Sequence, residues 1–149
     1  MKITTQIVKI MNNDIIYVTI SDADSNTKED FDNFSQNWRR FYLEKKNFIF
    51  RIDTTHLRKP NITYCYKIAM LIREFKNNDI QYLKYSIIVI PNPYIRCLLN
   101  FIMNIQKPIA TIYVTKNVKD ANTIHEYKLD NSPFLEAFIL LNNISVIES

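Results

Sequence analysis

The stretch SIIVIPNPYIRCLLNFIMNIQKPIATIYV, residues 86–114, has the pattern of a strand, a helix and a second strand. SIIVIP is a short apolar run typical of a buried strand, and Pro93 suits the first position of a helix. PIATIYV, residues 108–114, then predicts another strand. Because strands joined by single helices favour parallel, right-handed crossovers, this segment predicts an α/β fold.

The helix predicted over residues 94–105 is more apolar than an ordinary surface helix. A surface helix has an apolar stripe a little more than about 100° wide and keeps its other side polar. Three explanations are open: burial between the sheet and a C-terminal helix over residues 134–141, a surface for a second copy or another protein, and one wall of a lipid-sized pocket. The candidate interface or ligand-binding residues are Tyr94, Arg96, Cys97, Leu98, Phe101 and Ile102.

Helical geometry separates these candidates. A helix turns by about 100° per residue, so Leu98 and Ile102 share one face and Phe101 lies about 60° to one side of it. Arg96 is the only charged residue in the segment and is suited to meet an anionic head group or a partner carboxylate.

The N-terminal third of the chain predicts a hairpin and a helix. Alternating polarity around Asn12-Asn13 predicts a β-hairpin over residues 3–21. Thr27 is the expected cap of the following helix, with Asp30 adding negative charge to its first turn. The predicted inner face of this helix contains Phe31, Phe34, Trp38, Phe41 and Tyr42.

Further strands and helices are predicted before and after residues 86–114. NFIFRID, residues 47–53, predicts a strand, and Pro60 opens a helix that Asn77-Asn78 ends. Ser132-Pro133 predicts the start of a last helix. The chain is therefore predicted to be a single α/β domain over residues 1–149. Its sheet is mixed and mostly parallel, with about five strands, an N-terminal β-hairpin and four helices.

The chain contains no glycine, which excludes some functions. Walker-type and dinucleotide-binding loops need glycine so that the backbone can approach phosphate closely, so neither is expected. Positive-φ positions must then fall mainly on asparagine or aspartate. The candidates are Asn12-Asn13, Asn77-Asn78 and Asn142-Asn143.

The basic residues do not indicate a nucleic-acid partner. The net charge is +4, and WRRFYLEKK, residues 38–46, is the one local concentration. On a helix, Trp38, Phe41 and Tyr42 would face the core while the arginines and lysines face water. A nucleic-acid-binding domain usually has a denser basic stripe or a known motif.

The sequence also bounds the location of the protein. No apolar run reaches the roughly 18 residues that span a bilayer, and the N-terminus lacks the apolar core of a signal peptide. Cys65 and Cys97 have no metal-site spacing and are expected to be two buried thiols in a reducing compartment. We therefore expect a cytoplasmic location.

No catalytic residues, metal ligands or cofactor site are predicted. His56 and His125 are the only histidines. His56 follows Asp53, Thr54 and Thr55, but sequence proximity does not supply the geometry of a nucleophile and its base. Asp53 lies at the end of a strand, where ligands bind in open α/β sheets, although capping of its own loop is the simpler interpretation.

The order of elements, together with FIFRIDTTHL…YCYKIAMLIREF…YLKYSIIVIPNPYIRCLLNFIMNIQKPIATIYV, resembles the STAS / CRAL-TRIO superfamily over roughly residues 3–127. This superfamily contains bacterial anti-sigma-factor antagonists and eukaryotic lipid-transfer domains. The STAS resemblance implies an N-terminal hairpin, but Thr54, Thr55 and Thr63 stand where its Asp-Ser-Ser-Gly phosphorylation motif would be. The CRAL-TRIO resemblance implies that helix 94–105 gates a lipid pocket, although the helical N-terminal subdomain and the glycine-containing signature are missing.

Two functional hypotheses follow. The first is a non-enzymatic binding module that acts through protein–protein interaction, including homodimerisation, by means of the apolar helix 94–105. The alternative is binding of a lipid or small hydrophobic ligand in a CRAL-TRIO-like pocket.

Overall fold

The computed structural model describes residues 1–10 and 13–149. The elements in chain order are β1 (Lys2–Ile10), β2 (Asn13–Ser21), α1 (Thr27–Leu43), β3 (Phe48–Asp53), α2 (Ile62–Lys76), β4 (Leu83–Val89), α3 (Pro93–Ile105), β5 (Ile112–Thr115), α4 (Val118–Leu129), α5 (Leu135–Leu141) and β6 (Ser145–Ile147).

The described strands form one mixed sheet in the order in which they occur in the sequence. Strands β2 to β5 are parallel to their neighbours, and the edge strands β1 and β6 are antiparallel to β2 and β5. The predicted α/β class and N-terminal hairpin are confirmed. The described part of the chain has six strands and five helices rather than about five and four.

Both faces of the sheet are covered by helices. Phe50 and Ile88 point toward α1, α2 and α3, whereas Ile49 and Ile87, one position earlier in each strand, point toward α4 and α5. Burial on both faces explains why the central strands are continuously apolar in sequence. The explanation that helix 94–105 packs against the C-terminal helix is wrong, because α3 and α5 lie on opposite faces.

An aromatic cluster holds α1 against the sheet and α2. The ring of Trp38 stacks on Phe75 of α2 at 4.6 Å and meets Phe50 of β3 edge-on at 5.0 Å. The predicted inner face of this helix is confirmed, since Phe31, Phe34, Trp38 and Phe41 are buried and Tyr42 is half-buried. Arg39, on the outer side, forms an exposed ion pair with Glu74.

Asparagine rather than the predicted residues begins the first two helices. The Asn26 side chain accepts from the N–H of Glu29 to cap α1, and Asn61 accepts from the N–H of Thr63 to cap α2. The predicted cap Thr27 is instead the first residue of α1, where its hydroxyl donates to the carbonyl of Met1. Pro60 precedes the α2 cap rather than opening the helix.

The starts of the two later predicted helices differ in outcome. Pro93 is confirmed at the first position of α3, behind the cap Asn92. Ser132-Pro133 does not open α5, which begins at Leu135 without a side-chain cap. The Ser132 hydroxyl accepts from the N–H of Phe134 in a local turn instead.

Three residues with positive φ each follow a helix C-cap. Lys45, Asn131 and Asn143 have φ of 55°, 49° and 52°. The residue after each donates its N–H to the carbonyl five positions earlier, as in a Schellman motif. The prediction for Asn143 is confirmed, and that for Asn77 is wrong because its φ is −79°. Asn12 lies outside the described residues.

Helix α4 and strand β6 were not predicted from the sequence. In α4 only Ala121, Ile124 and His125 are buried, so its apolar stripe is too narrow to give a clear helical period. Strand β6 has three residues and forms only by pairing with the edge of β5.

Candidate functional site

A cavity of about 140 Å³ lies between the sheet and the helices on one of its faces. Its sheet side is built from Val18, Phe50, Ser86, Ile88 and Ile112, which project from four adjacent parallel strands. The alternation of side chains along each strand brings them to the same face. Ser86 lies in the middle of this surface, paired in register with Phe50 on one side and Ile112 on the other.

The opposite wall comes from helices α2 and α3. Cys65 and Ile72 face the cavity from α2, and Leu98 and Ile102 face it from α3. These two helices pack side by side over the sheet. The presence of two small side chains, Ser86 on the sheet and Cys65 on α2, explains why the walls do not close on each other.

The β3–α2 loop forms one end of the cavity through Leu57, which is buried although it lies in a polar segment. The carboxylate of Asp22 holds this loop by accepting from the backbone N–H groups of Arg58 and Lys59 at 2.9–3.0 Å. These hydrogen bonds lower the pKa of Asp22, because they stabilise its ionised form. The N–H of Asp22 also donates to the carbonyl of His56.

The lining is almost wholly apolar, and no charged side chain belongs to it among the described residues. Thr54 and Ser86 are its only hydroxyl-bearing side chains in that part of the chain. The Thr54 hydroxyl donates to the Val89 carbonyl at 2.8 Å, so it is already satisfied within the protein. Such a cavity suits an uncharged ligand, since an unpaired charge inside it would be desolvated at a large cost.

The structure divides the candidate residues of α3 between two surfaces. Leu98 and Ile102 line the cavity, whereas Tyr94, Cys97 and Phe101 are exposed on the outer side of the helix. The prediction of two buried thiols is therefore wrong for Cys97. It lies three and four positions from Tyr94 and Phe101, so it shares their outer stripe.

Arg96 belongs to neither surface. Its guanidinium donates to the side-chain carbonyl of Asn100 one turn later, and it is not among the residues that line the cavity. For the cavity residues on α1, α2 and the sheet, the sequence pattern predicts burial in the core but does not predict a cavity. Periodicity identifies which residues face inward but not where inward-facing side chains fail to meet.

The structure does not assemble a catalytic group around His56. His56 is exposed, and the Asp53 carboxylate accepts from the N–H and the hydroxyl of Thr55. Asp53 therefore caps its own loop, as the simpler interpretation predicted. Among residues 1–10 and 13–149, no three histidine, cysteine or acidic side chains come together in a way that could hold a metal ion.

The opposite face of the sheet carries a cluster of tyrosines and cations. Lys128 Nζ lies 4.8 Å from the ring centre of Tyr85 and 5.8 Å from that of Tyr113. Arg51 lies over the Tyr17 ring and donates to the side chain of Asn122. Burial is the main reason why the pKa of Tyr85 rises to about 12. These contacts stabilise the packing of α4 on the sheet.

Comparison with known proteins does not assign the chain to a family. No protein-family model, curated protein or solved structure matches it. None of the helices within the described residues has the length and apolar character needed to cross a membrane.

Proposed function

We propose that this chain is a non-enzymatic binding module that holds a small, uncharged apolar ligand in the cavity beneath α3. The observation that carries the proposal is the cavity itself, about 140 Å³ in volume and bounded by apolar side chains from five strands and three helices. Protein interiors normally contain few voids larger than a water molecule. A cavity of this size in the middle of the fold is therefore a feature that needs an explanation.

The energetic cost of leaving the cavity empty supports the proposal. Apolar side chains that border unfilled space lack van der Waals partners on that side, which lowers the stability of the fold. Water would recover little of this cost, because a buried water needs two to four polar partners. An apolar ligand would restore the missing van der Waals contacts without that requirement.

The size and lining define the class of ligand. Engineered apolar cavities of about 150 Å³ stay dry and bind benzene or xenon. The cavity therefore matches a small aromatic or branched aliphatic molecule, or one end of a longer chain. This use of α3 agrees with the pocket-gating role that the CRAL-TRIO resemblance implies for helix 94–105.

Binding of benzene to purified protein tests the proposal directly. We expect benzene to shift the amide resonances of residues that line the cavity and to raise the urea midpoint of unfolding, since a ligand that binds only the folded state stabilises it. Cys65→Leu fills the cavity from α2 and should abolish both effects. Cys97→Leu makes the same substitution on the exposed side of α3 and should behave as the unmodified chain. Absence of binding at saturating benzene would overturn the proposal.

A second candidate function is self-association through the outer side of α3, which was the leading hypothesis from the sequence. The supporting observation is the exposure of Tyr94 and Phe101, 53% and 50%, on one stripe of this helix. Helix α2, which packs beside α3, also exposes Ile62 and Tyr66 on the same side of the sheet. Exposed apolar side chains that adjoin one another often mark an interface.

Light scattering after size-exclusion chromatography tests this second candidate. A dimer that dissociates in Phe101→Glu but not in Leu43→Glu, an exposed apolar site at the end of α1, would support it. A monomer at tens of micromolar for the unmodified chain would exclude self-association through this surface.

A further inference from the structure

One serine hydroxyl on the wall of the cavity makes no hydrogen bond within the described part of the protein. Ser86 is 5% exposed and lines the cavity from the centre of β4. Its backbone N–H donates to the carbonyl of Thr111, but its hydroxyl makes no hydrogen bond to any described residue. The hydroxyl therefore meets the cavity instead of another protein group.

Three other buried hydroxyls of the described residues are bonded within the protein. Thr54 donates to the Val89 carbonyl, Ser35 to the Phe31 carbonyl and Thr115 to the Asn117 carbonyl. A buried hydroxyl without a partner is unfavourable, so buried hydroxyls are normally satisfied, as these three are. The Ser86 hydroxyl has no such bond and lines the cavity. The buried hydroxyl of Thr5 on β1 also lacks a partner among the described residues, but Thr5 does not line the cavity.

The indole N–H of Trp38 does not provide a second such group. Trp38 lines the cavity, and its buried Nε1 also has no hydrogen-bond partner within normal geometry among the described residues. However, this N–H lies near the hydroxyl of Tyr42, where it lowers the pKa of that phenol against the larger, opposite effect of burial. The Trp38 N–H can only donate, whereas the Ser86 hydroxyl can both donate and accept a hydrogen bond.

We infer that the cavity selects ligands that carry a single uncharged hydrogen-bonding group, and that this group bonds to the Ser86 hydroxyl. The inference rests on the proposed function and narrows its ligand class to molecules such as phenols and small alcohols. A serine hydroxyl both donates and accepts, so it can pair with a ligand hydroxyl in either direction. A carboxylate is excluded, because no charged side chain lines the cavity to compensate its charge.

Calorimetric titration with benzene and phenol tests the inference. The unmodified chain should bind phenol more tightly than benzene, after allowance for the different hydration of the two probes. Ser86→Ala should reduce this preference by roughly 2- to 12-fold, the value of a neutral hydrogen bond, and should leave benzene binding unchanged or tighter. Thr54→Val removes the other hydroxyl of the lining and should leave the preference as it is, because that hydroxyl is already bonded to Val89.

The outcomes distinguish this inference from the proposed function. An unchanged phenol preference in Ser86→Ala overturns the role of Ser86 even if benzene binds well. Failure of both probes to bind the unmodified chain overturns the proposed function and this inference together. If Ser86→Ala does not fold, the same comparison is made with Ser86→Cys, whose thiol is a weaker hydrogen-bonding group, and a preserved preference there would also count against Ser86.

Discussion

Phe101 and Ile102 follow one another in the sequence, but one is on the solvent-exposed side of α3 and the other on its buried side. Phe101 is 50% exposed, whereas Ile102 is 7% exposed and lines the cavity beneath the helix. Consecutive residues of a helix are about 100° apart around its axis, so one can face solvent while the next faces the sheet on which the helix packs. The two proposals for this protein therefore depend on different residues of the same helix.

Substitution of these two residues should have unequal effects on stability. Ile102→Ala should lower the free energy of unfolding by about 2–5 kcal/mol, because it removes buried methyl groups and enlarges a cavity. Phe101→Glu should change it by about 0.5 kcal/mol or less, as is usual for an exposed position. Urea unfolding of both variants measures the difference. Failure of Phe101→Glu to fold would show that its ring supports the core.

The two cysteines should differ strongly in reactivity. Cys97 is exposed and Cys65 is buried, and burial also raises the pKa of the Cys65 thiol. A thiol reacts through its thiolate, so the native protein should react quickly with one equivalent of an aromatic disulfide reagent. The reaction forms a mixed disulfide at Cys97 and releases one equivalent of the coloured aromatic thiolate. The second equivalent should appear only in denaturant. The Cys97→Ser variant should lose the fast phase, and loss of the slow phase instead would contradict the burial assignment.

Stability should depend on pH through His125. His125 is 8% exposed and its buried Nδ1 has no partner among the described residues. Burial, and then the charge of Arg51, lower its pKa from the ordinary 6.5 against a weaker opposite effect of Glu126. Between the folded-state pKa of His125 and about 6.5, the unfolded chain therefore binds a proton that the folded protein does not.

The free energy of unfolding should fall as the pH drops from about 6.5 toward the folded-state pKa of His125, and this loss is complete below that pKa. Urea unfolding at several pH values between about 7 and 5 measures the slope. His125→Gln should flatten it, whereas His56→Gln, at an exposed position, should not. An equal slope in the His125 variant would assign the pH dependence to other groups.

The carboxylate of Asp22 should control the order of the β3–α2 loop. It accepts from the N–H groups of Arg58 and Lys59, next to the cavity residue Leu57. In Asp22→Ala both amides should exchange with solvent faster, because their acceptor is lost. Asp22→Asn keeps a side-chain carbonyl and should show a smaller change. Equal exchange in all three proteins would mean that other contacts hold the loop.

Local patterns in the sequence were sufficient for most of the sheet and for the helices that carry clear apolar stripes. The inner face of α1 and the start of α3 at Pro93 were correct because they depend on side-chain spacing and on a fixed backbone angle. Local patterns did not decide which residue caps α1, since Asn26 and Thr27 are adjacent and both residue types can cap a helix. Strand β6 was missed because three residues carry no period of their own.

The sequence by itself determined the α/β class, the order of the main elements and the excess of apolar residues on helix 94–105. Only the tertiary structure decided what that excess faces. The placement of α3 beside α2, on the face opposite α5, turns Leu98 and Ile102 toward a cavity and leaves Tyr94 and Phe101 outside. The cavity forms where side chains from eight separate elements leave space above Ser86, and such long-range packing leaves no local trace in the sequence.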